Sequence, residues 1–261
     1  LNNTFAALKT GLYLVRKKVM ADAELASLLE LSEHQLEMTR RLLDDLKDVT
    51  RLGAGKLQIQ KEDIPLNDVL EEPVETCRPA AHERRQQLDV LLPPSRVFID
   101  GDPVRLHQVF VNLINNACKY TPDEGRIWVK LATEGEDVTV KVEDTGVGIG
   151  PELLPRLFEL FTQGEQDETR GGLGIGLWLV KNLVELHGGT VRAKSPGEGH
   201  GATFIVSLPL APFRSGEVRE HPATSKPGAL DLETVRLNGL RVLVVDDEPD
   251  ARNLIHRVLT V

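Results

Sequence analysis

The sequence is short of cysteine, aromatics, basic residues in excess and long hydrophobic runs, and each shortage closes off a class of protein. Its two cysteines, Cys77 and Cys118, are too few for a disulfide framework and stand in no metal-binding spacing, which predicts a reducing compartment and no zinc site. Acidic residues outnumber basic ones by 40 to 31, for a net charge of -9. A nucleic-acid surface wants clustered Lys and Arg, so no nucleic-acid partner is expected, although a local anion site stays open. No run reaches the roughly 20 apolar residues of a membrane span, and no basic-then-apolar leader opens the chain. The expectation is a cytoplasmic chain without a membrane segment, whose longer parent could still be tethered. The chain starts on Leu1 and ends on an apolar run at 258–261, which reads as a piece of something longer. Its 261 residues have room for one large domain or two smaller ones.

Residues 110–121, FVNLINNACKYT, are the most informative stretch. Val109, Leu113 and Ala117 recur at helical spacing and suit a core, while Asn112, Asn116 and Tyr120 line another face. Carboxamides offer an oxygen for a hard cation and an NH₂ for phosphate, and Lys119 adds a positive charge within the same turn. The stripe therefore fits a nucleotide-facing helix, and by itself it fits solvated asparagines equally well.

Toward the N-terminus, Phe5, Leu8, Leu12 and Val15 mark one helix, and residues 22–52 mark a second that Gly53 and Gly55 stop. Leu25, Leu28, Leu36, Leu42, Leu43, Leu46 and Val49 form a stripe that two helices alone cannot bury. A second copy would complete a four-helix bundle, so a homodimer through these helices is expected. His34, between Glu33 and Gln35, has no neighbours that would shape a phosphoryl-transfer site and reads as a solvated helix residue.

From residue 56 to about 210 strand-like and helix-like runs mix. Strands are predicted at 57–60, 88–92, 97–100, 126–133, 137–144, 190–194 and 202–209, with a helix over 69–86. This is an α+β pattern, a two-layer sandwich of a mixed sheet with helices on one face. The strand at 137–144 runs into DTGVGIG, where Asp144 could accept from an exocyclic amine, and Gly146 and Gly148 would let a flat ligand approach the backbone. Such a loop is also common as a plain turn. A further cluster, Gly171, Gly172, Gly174 and Gly176, precedes the apolar helix of Leu177, Val180, Leu183 and Val184, and a helix N-terminus attracts phosphate. The polar stretch 162–170 before it suits a lid or an ordinary surface loop. His187, in the helix's last turn, reads as a structural residue whose partial positive charge suits a C-terminus.

Taken in order, these pieces resemble a two-component sensor histidine kinase of hybrid type, with a Bergerat-type ATP domain like those of gyrase, Hsp90 and MutL. NLINNACKYT resembles the N box, DTGVGIG the first glycine box, LFELF at 157–161 the F box, GGLGIGL the second glycine box and GHGATF the last. GDPVRLHQVFVNL and RLLDDLKDVTRLGAGKLQI extend the likeness over residues 1–212. The resemblance implies a dimerisation hairpin at 1–55 and an ATP-binding domain at 56–212. It implies Asn116 as ligand to Mg²⁺ on ATP with Asn112 one turn before, and Lys119 and Tyr120 at phosphate or ribose. Asp144 would take the adenine amine, with Gly146 and Gly148 beside the base and Thr203 assisting through water. The segment 172–177, with Gly172, Gly174, Gly176 and Leu177, would close over the phosphates, and Phe158 and Phe161 would anchor the lid in the core. ATP-hydrolysing relatives carry a glutamate base where this chain has Asn112, which favours phosphotransfer.

The resemblance also implies a phosphoacceptor His, with its acidic neighbour, in a box that no histidine of this chain occupies; Leu1 resembles the residue just after it. Residues 213–237 read as a linker. LRVLVVDDEPDARNLIHRVL, within 238–261, resembles the doubly wound start of a response-regulator receiver domain, where Asp246 and Asp247 would bind Mg²⁺. The expected partners are a second copy and a receiver, in cis or as a response regulator in trans. The expected behaviour is binding of Mg·ATP without autophosphorylation. An ATP hydrolase of the same fold and a non-catalytic nucleotide-binding scaffold are the two rivals.

Overall fold

The computed structural model describes residues 8, 11, 12, 15, 23–163 and 173–211. The chain divides into two units, residues 1–43 with 214–261, and residues 44–213. In the first, the expected N-terminal helix is described only at 8, 11, 12 and 15, all helical, so the hairpin as a whole lies outside the described residues. So do the linker and the receiver-like stretch with Asp246 and Asp247. The long helix α1 spans Ala23–Gly53, and Leu28, Leu31 and Met38 on it are exposed. It ends where Gly55 takes φ +63° and its N–H reaches the carbonyl of Leu52 at 2.9 Å.

The second unit is a two-layer α+β sandwich. Its elements are β1 (Glu62–Pro65), α2 (Leu66–Glu83), β2 (Gln87–Leu91), β3 (Phe98–Gly101), α3 (Pro103–Tyr120), β4 (Arg126–Glu134), β5 (Asp137–Asp144), α4 (Gly176–Leu186), β6 (Thr190–Lys194) and β7 (Ala202–Pro209). Five strands form a mixed sheet in the order β2-β4-β5-β7-β6, with β2 parallel to β4 and the other pairs antiparallel. β1 and β3 make a separate antiparallel ribbon. One predicted strand is displaced. Residues 57–60 are irregular and the strand starts at Glu62, because the Gln60 amide donates to the Asp102 carboxylate at 2.9 Å instead of entering a ladder.

Period-two burial decides which face of the sheet the helices cover. Ile127, Val129 and Leu131 of β4, Val138, Val140 and Val142 of β5, and Phe204, Val206 and Leu208 of β7 are buried. They join Leu106, Val109, Phe110, Leu113 and Ile114 of α3 and Leu179, Val180, Leu183 and Val184 of α4 in one core. Each such side chain contributes about 1.5–3 kcal/mol by leaving water. The other face carries Trp128, Lys130, Lys141 and Glu143, with an ion pair between Lys130 and Glu143. Residues 44–53 of α1 belong to this unit, where the buried Asp48 pairs with Arg105 at 2.7 Å and accepts from Gln108 at 3.1 Å.

Candidate functional site

Helix α3 begins with strong local signals. Asp102 caps it, its Oδ1 accepting from the amides of Val104 and Arg105 at 3.1 Å each, and Pro103 occupies the first turn. Eighteen residues long, the helix buries Val109, Leu113 and Ala117 and leaves Asn112, Asn116 and Tyr120 half-buried along its other face, as their spacing predicts. Asn112 Nδ2 is buried with no hydrogen-bond partner among the described residues. A donor left this way costs about 1–3 kcal/mol unless something supplies an acceptor. A Cβ on Gly176, the first residue of α4, would lie 3.8 Å from Asn112 Cγ, so the N-terminus of α4 opens beside this orphan donor. In the last turn of α3, Lys119 Nζ donates to the Tyr120 hydroxyl at 2.9 Å and stands 4.7 Å from its ring centroid.

Asp144 closes β5 and is buried. Its Oδ1 accepts from the amides of Gly146 at 2.8 Å and Ala202 at 3.2 Å, leaving Oδ2 without a partner among the described residues. Burial pushes its carboxyl above the ordinary value, the two amides pull it down, and Glu143 pushes it up again. The loop that follows is held from two sides. The Tyr120 carbonyl accepts from Val147 at 3.1 Å, and the amides of Gly199 and Gly201 donate to the carbonyls of Val147 and Gly146 at 2.6 and 3.0 Å. Gly148 takes φ +73°, and a Cβ there would collide with the Gly197 carbonyl, so no other residue fits.

Two site assignments need correction. Thr203 pairs with Glu143 while Ala202 pairs with Asp144. Alternation along β7 therefore puts Ala202 on Asp144's face and the Thr203 side chain on the opposite one, away from the carboxylate. Phe161 is 62% exposed with φ +62°, so it is no core anchor, whereas Phe158 does pack against the core. The Phe161 amide donates to the Gly174 carbonyl at 3.1 Å, and a Cβ on Gly174 would come within 2.7 Å of the Thr162 carbonyl, so the described residues on either side of 164–172 meet there. Gly172 and the stretch 164–172 lie outside the described residues. Leu177, at the start of α4, is half-buried against the core.

Ser195 was not singled out by its sequence context. Its Oγ accepts from the Ile149 amide at 3.0 Å and donates to the Gly201 carbonyl at 2.7 Å, stitching the Asp144 loop to the 195–201 loop. The run SPGEGHG, dense in turn residues just before a strand, was the available signal. His187 is structural, for a different reason than a charge at a helix end. Its Nε2 accepts from the Asp102 amide at 2.9 Å and its Nδ1–H donates to the Leu183 carbonyl at 2.7 Å. That fixes a neutral tautomer, and burial lowers its tendency to protonate.

This constellation of a capped asparagine helix, a buried strand-end aspartate and a glycine-led helix has a family. Residues 101–212 match the profile of the "Histidine kinase-, DNA gyrase B-, and HSP90-like ATPase" family. This region belongs to that family. Along more of its length the chain is similar to sensor histidine kinases. It is 31% identical over 232 residues to the circadian input-output histidine kinase CikA of Synechococcus elongatus, covering 87% of this chain and 29% of CikA. It is 32% identical over 246 residues to the autoinducer 2 sensor kinase/phosphatase LuxQ of Vibrio vulnificus, covering 91% of this chain and 28% of LuxQ. Full-length ShkA in complex with AMPPNP is a structural neighbour, with TM-score 0.64 and 27% identity over 81% of this chain and 45% of that one. The chain thus spans under a third of the length of these two curated relatives. Among the described residues no helix is long and apolar enough to cross a membrane. Asn116 offers a neutral carboxamide oxygen, with that of Asn112 one turn before it, hard donors of the kind that would suit a Mg²⁺ ion.

Proposed function

We propose that the chain is the nucleotide-binding core of a hybrid two-component kinase, which binds Mg·ATP and directs its γ-phosphoryl to a histidine and onward to a receiver aspartate. The single observation that carries this reading is the pairing of a half-satisfied buried Asp144 with an orphan Asn112 donor beside the glycine start of α4. Asp144 Oδ2 accepts from the adenine amine, with Gly146 and Gly148 against the base. Asn112 Nδ2 donates to phosphate, Lys119 and Tyr120 hold phosphate or ribose, and the free amides at the start of α4, with Gly172, Gly174 and Gly176, receive the rest of the phosphate chain. Asn116 would hold Mg²⁺, with Asn112 one turn before it, and the ion would supply charge neutralisation at the transferring group. Thr203 has no part in binding the base.

Asn112 offers no carboxylate to activate water, so the residues present bind and orient rather than hydrolyse. None of the chain's seven histidines sits in an acceptor box, so the acceptor comes from outside these residues and the chain binds Mg·ATP without phosphorylating itself. The exposed apolar residues of α1 suit a homodimeric bundle. Asp246 and Asp247 suit the metal site of a receiver, acting in cis or as a response regulator in trans.

Titration of a fluorescent ATP analogue with and without Mg²⁺, on wild type and Asp144→Asn, tests the reading. Saturable binding that needs Asp144 is expected. A folded wild type that does not bind refutes it, and phosphate release well above background revives the hydrolase.

A further inference from the structure

The last turn of α3 is where Lys119 and Tyr120 project, and an α-helix ends there with carbonyls that have no partner in the helix. The usual remedy, a glycine in left-handed conformation, is missing. Thr121 is extended at φ -80°, ψ 131° and Pro122 follows. Only the Ala117 carbonyl is closed locally, by the Thr121 amide at 3.0 Å. The next carbonyls turn instead to the side chains that end α2. Arg84 donates through Nη1 to the Cys118 carbonyl and to the Lys119 carbonyl, the latter at 3.1 Å. Gln86 donates through Nε2 to the same Cys118 carbonyl at 2.9 Å and to the Thr121 carbonyl at 2.7 Å.

Local backbone geometry aims this pair. Arg85, between them, adopts φ 54°, a left-handed step that turns the chain at the end of α2. The Gln86 amide returns to the Ala81 carbonyl at 2.8 Å, and Gln86 is buried. Arg85 itself points outward to a surface pair with Glu124. Arg84 also pairs with Asp123 through Nε at 3.1 Å and so spans both sides of the Thr121–Pro122 corner. A fixed cation at this place also complements the negative end of the helix.

We propose that Arg84 and Gln86 are positioning residues of the nucleotide site, clamping the last turn of α3 so that Lys119 and Tyr120 keep the orientation in which they meet phosphate and ribose. The inference rests on the nucleotide reading above. Arg84 and Gln86 hold the carbonyls of Cys118, Lys119 and Thr121, whereas the Asp144 loop meets this turn only through the Val147 amide on the Tyr120 carbonyl and is otherwise tied to Ala202, Gly199 and Gly201, so the clamp acts mainly on the phosphate side.

The test compares Mg·ATP and adenosine as ligands by calorimetry on wild type, Arg84→Ala, Arg84→Lys, Gln86→Ala and the neighbouring Arg85→Asn, with the melting temperature of each. Losing a charged hydrogen bond to the turn is expected to weaken Mg·ATP about tenfold in Arg84→Ala while adenosine stays within about twofold. Arg84→Lys keeps the charge and a donor nitrogen but not the planar fork, and recovers part of the loss. Arg85→Asn, which tolerates the left-handed backbone, leaves both ligands unchanged. Equal loss of both ligands in proportion to lost stability would reduce Arg84 to a structural residue, and wild-type binding of both ligands by a folded Arg84→Ala would overturn the clamp. If Arg84→Ala does not fold, Arg84→Lys and Gln86→Ala carry the same comparison. Failure of wild type to bind Mg·ATP overturns the nucleotide reading and the clamp with it, whereas Asp144-dependent binding that ignores Arg84 and Gln86 overturns the clamp alone.

Discussion

The two glycine-rich loops of the ATPase domain differ in how much of their hydrogen bonding is already spent. The loop after Asp144 is tied by the amides of Val147, Gly199 and Gly201 and by the Ser195 hydroxyl. Around the start of α4, the described part of the second glycine cluster is tied by the Phe161–Gly174 bond, and the Asn112 donor beside it has no partner among the described residues. On the nucleotide reading proposed above, a ligand would find the base side built and the phosphate side in need of acceptors. Adenine would recognise a rigid surface, and the phosphates would complete an unfinished one.

The sharpest way to break this contrast is Asp144→Asn. It is expected to cost about 10- to 100-fold in nucleotide affinity, the worth of a charged hydrogen bond, without lowering thermal stability. A carboxyl whose folded pKa lies above its unfolded one contributes stability that is complete below the ordinary value of 3.8 and is lost as pH rises through the folded pKa. At neutral pH the ionised Asp144 thus costs stability that only binding justifies, and a neutral amide removes the cost. Calorimetry with a melting curve checks both halves. A variant that binds ATP like wild type would remove Asp144 from the site.

Next comes a pair of glycine substitutions. Gly148→Ala forces a Cβ into the Gly197 carbonyl at φ +73° and is expected to destabilise the fold by about 2 kcal/mol or more. Gly176→Ala meets Asn112 only at ordinary contact distance, 3.8 Å. It should leave denaturant stability within about 1 kcal/mol, because alanine suits a helix better than glycine, and lower only the affinity for phosphate-bearing ligands. Equal destabilisation by the two would mean that the second loop is as fully built as the first.

A smaller effect separates the sides more finely. Ser195→Ala strips the Ile149 amide and the Gly201 carbonyl of a shared partner and is expected to cost about 1 kcal/mol of stability. ATP and adenosine affinities should fall by the same few-fold, since the base loop serves both. Asn112→Ala should weaken ATP and spare adenosine. Ser195→Ala weakening ATP alone would place its action on the phosphate side.

Much of this contrast was legible in the chain. The four-residue spacing of Val109, Leu113 and Ala117 fixed which face of α3 is buried and therefore that Asn112 and Asn116 share the other. The β-rich runs gave the sheet because alternation is local information. What the chain hid depends on partners distant in sequence. Register, set by the pairing of Asp144 with Ala202, decides that Thr203 faces away, and a one-residue difference reverses such an assignment. Phe161 looks like core by composition, yet it is exposed and its backbone is left-handed. Arg84, Gln86 and Ser195 carry no motif of their own, since their work is to satisfy carbonyls and amides on other segments.

The last and smallest prediction concerns the far end of α4, whose fixity sets off its open start. His187 is neutral there, accepting from the Asp102 amide and donating to the Leu183 carbonyl, so α3's cap and α4's last turn hang on one ring. Burial is the main reason its pKa lies below 6.5; Lys61 pushes it further down, while the Leu183 bond and the charges of Asp102 and Asp100 oppose the shift. For a histidine lowered on folding, the stabilising contribution is complete above the unfolded value of 6.5 and is lost as pH falls through the folded pKa. Denaturant unfolding between pH 8 and pH 5 should therefore show stability decreasing below 6.5, with a slope that approaches about 1.4 kcal/mol per pH unit for one proton. His187→Leu should be less stable at neutral pH, because the Asp102 amide loses its acceptor, and should lose that part of the slope. Identical acid slopes in the two proteins would mean that some other group titrates, and that the closed end of α4 is held by packing alone.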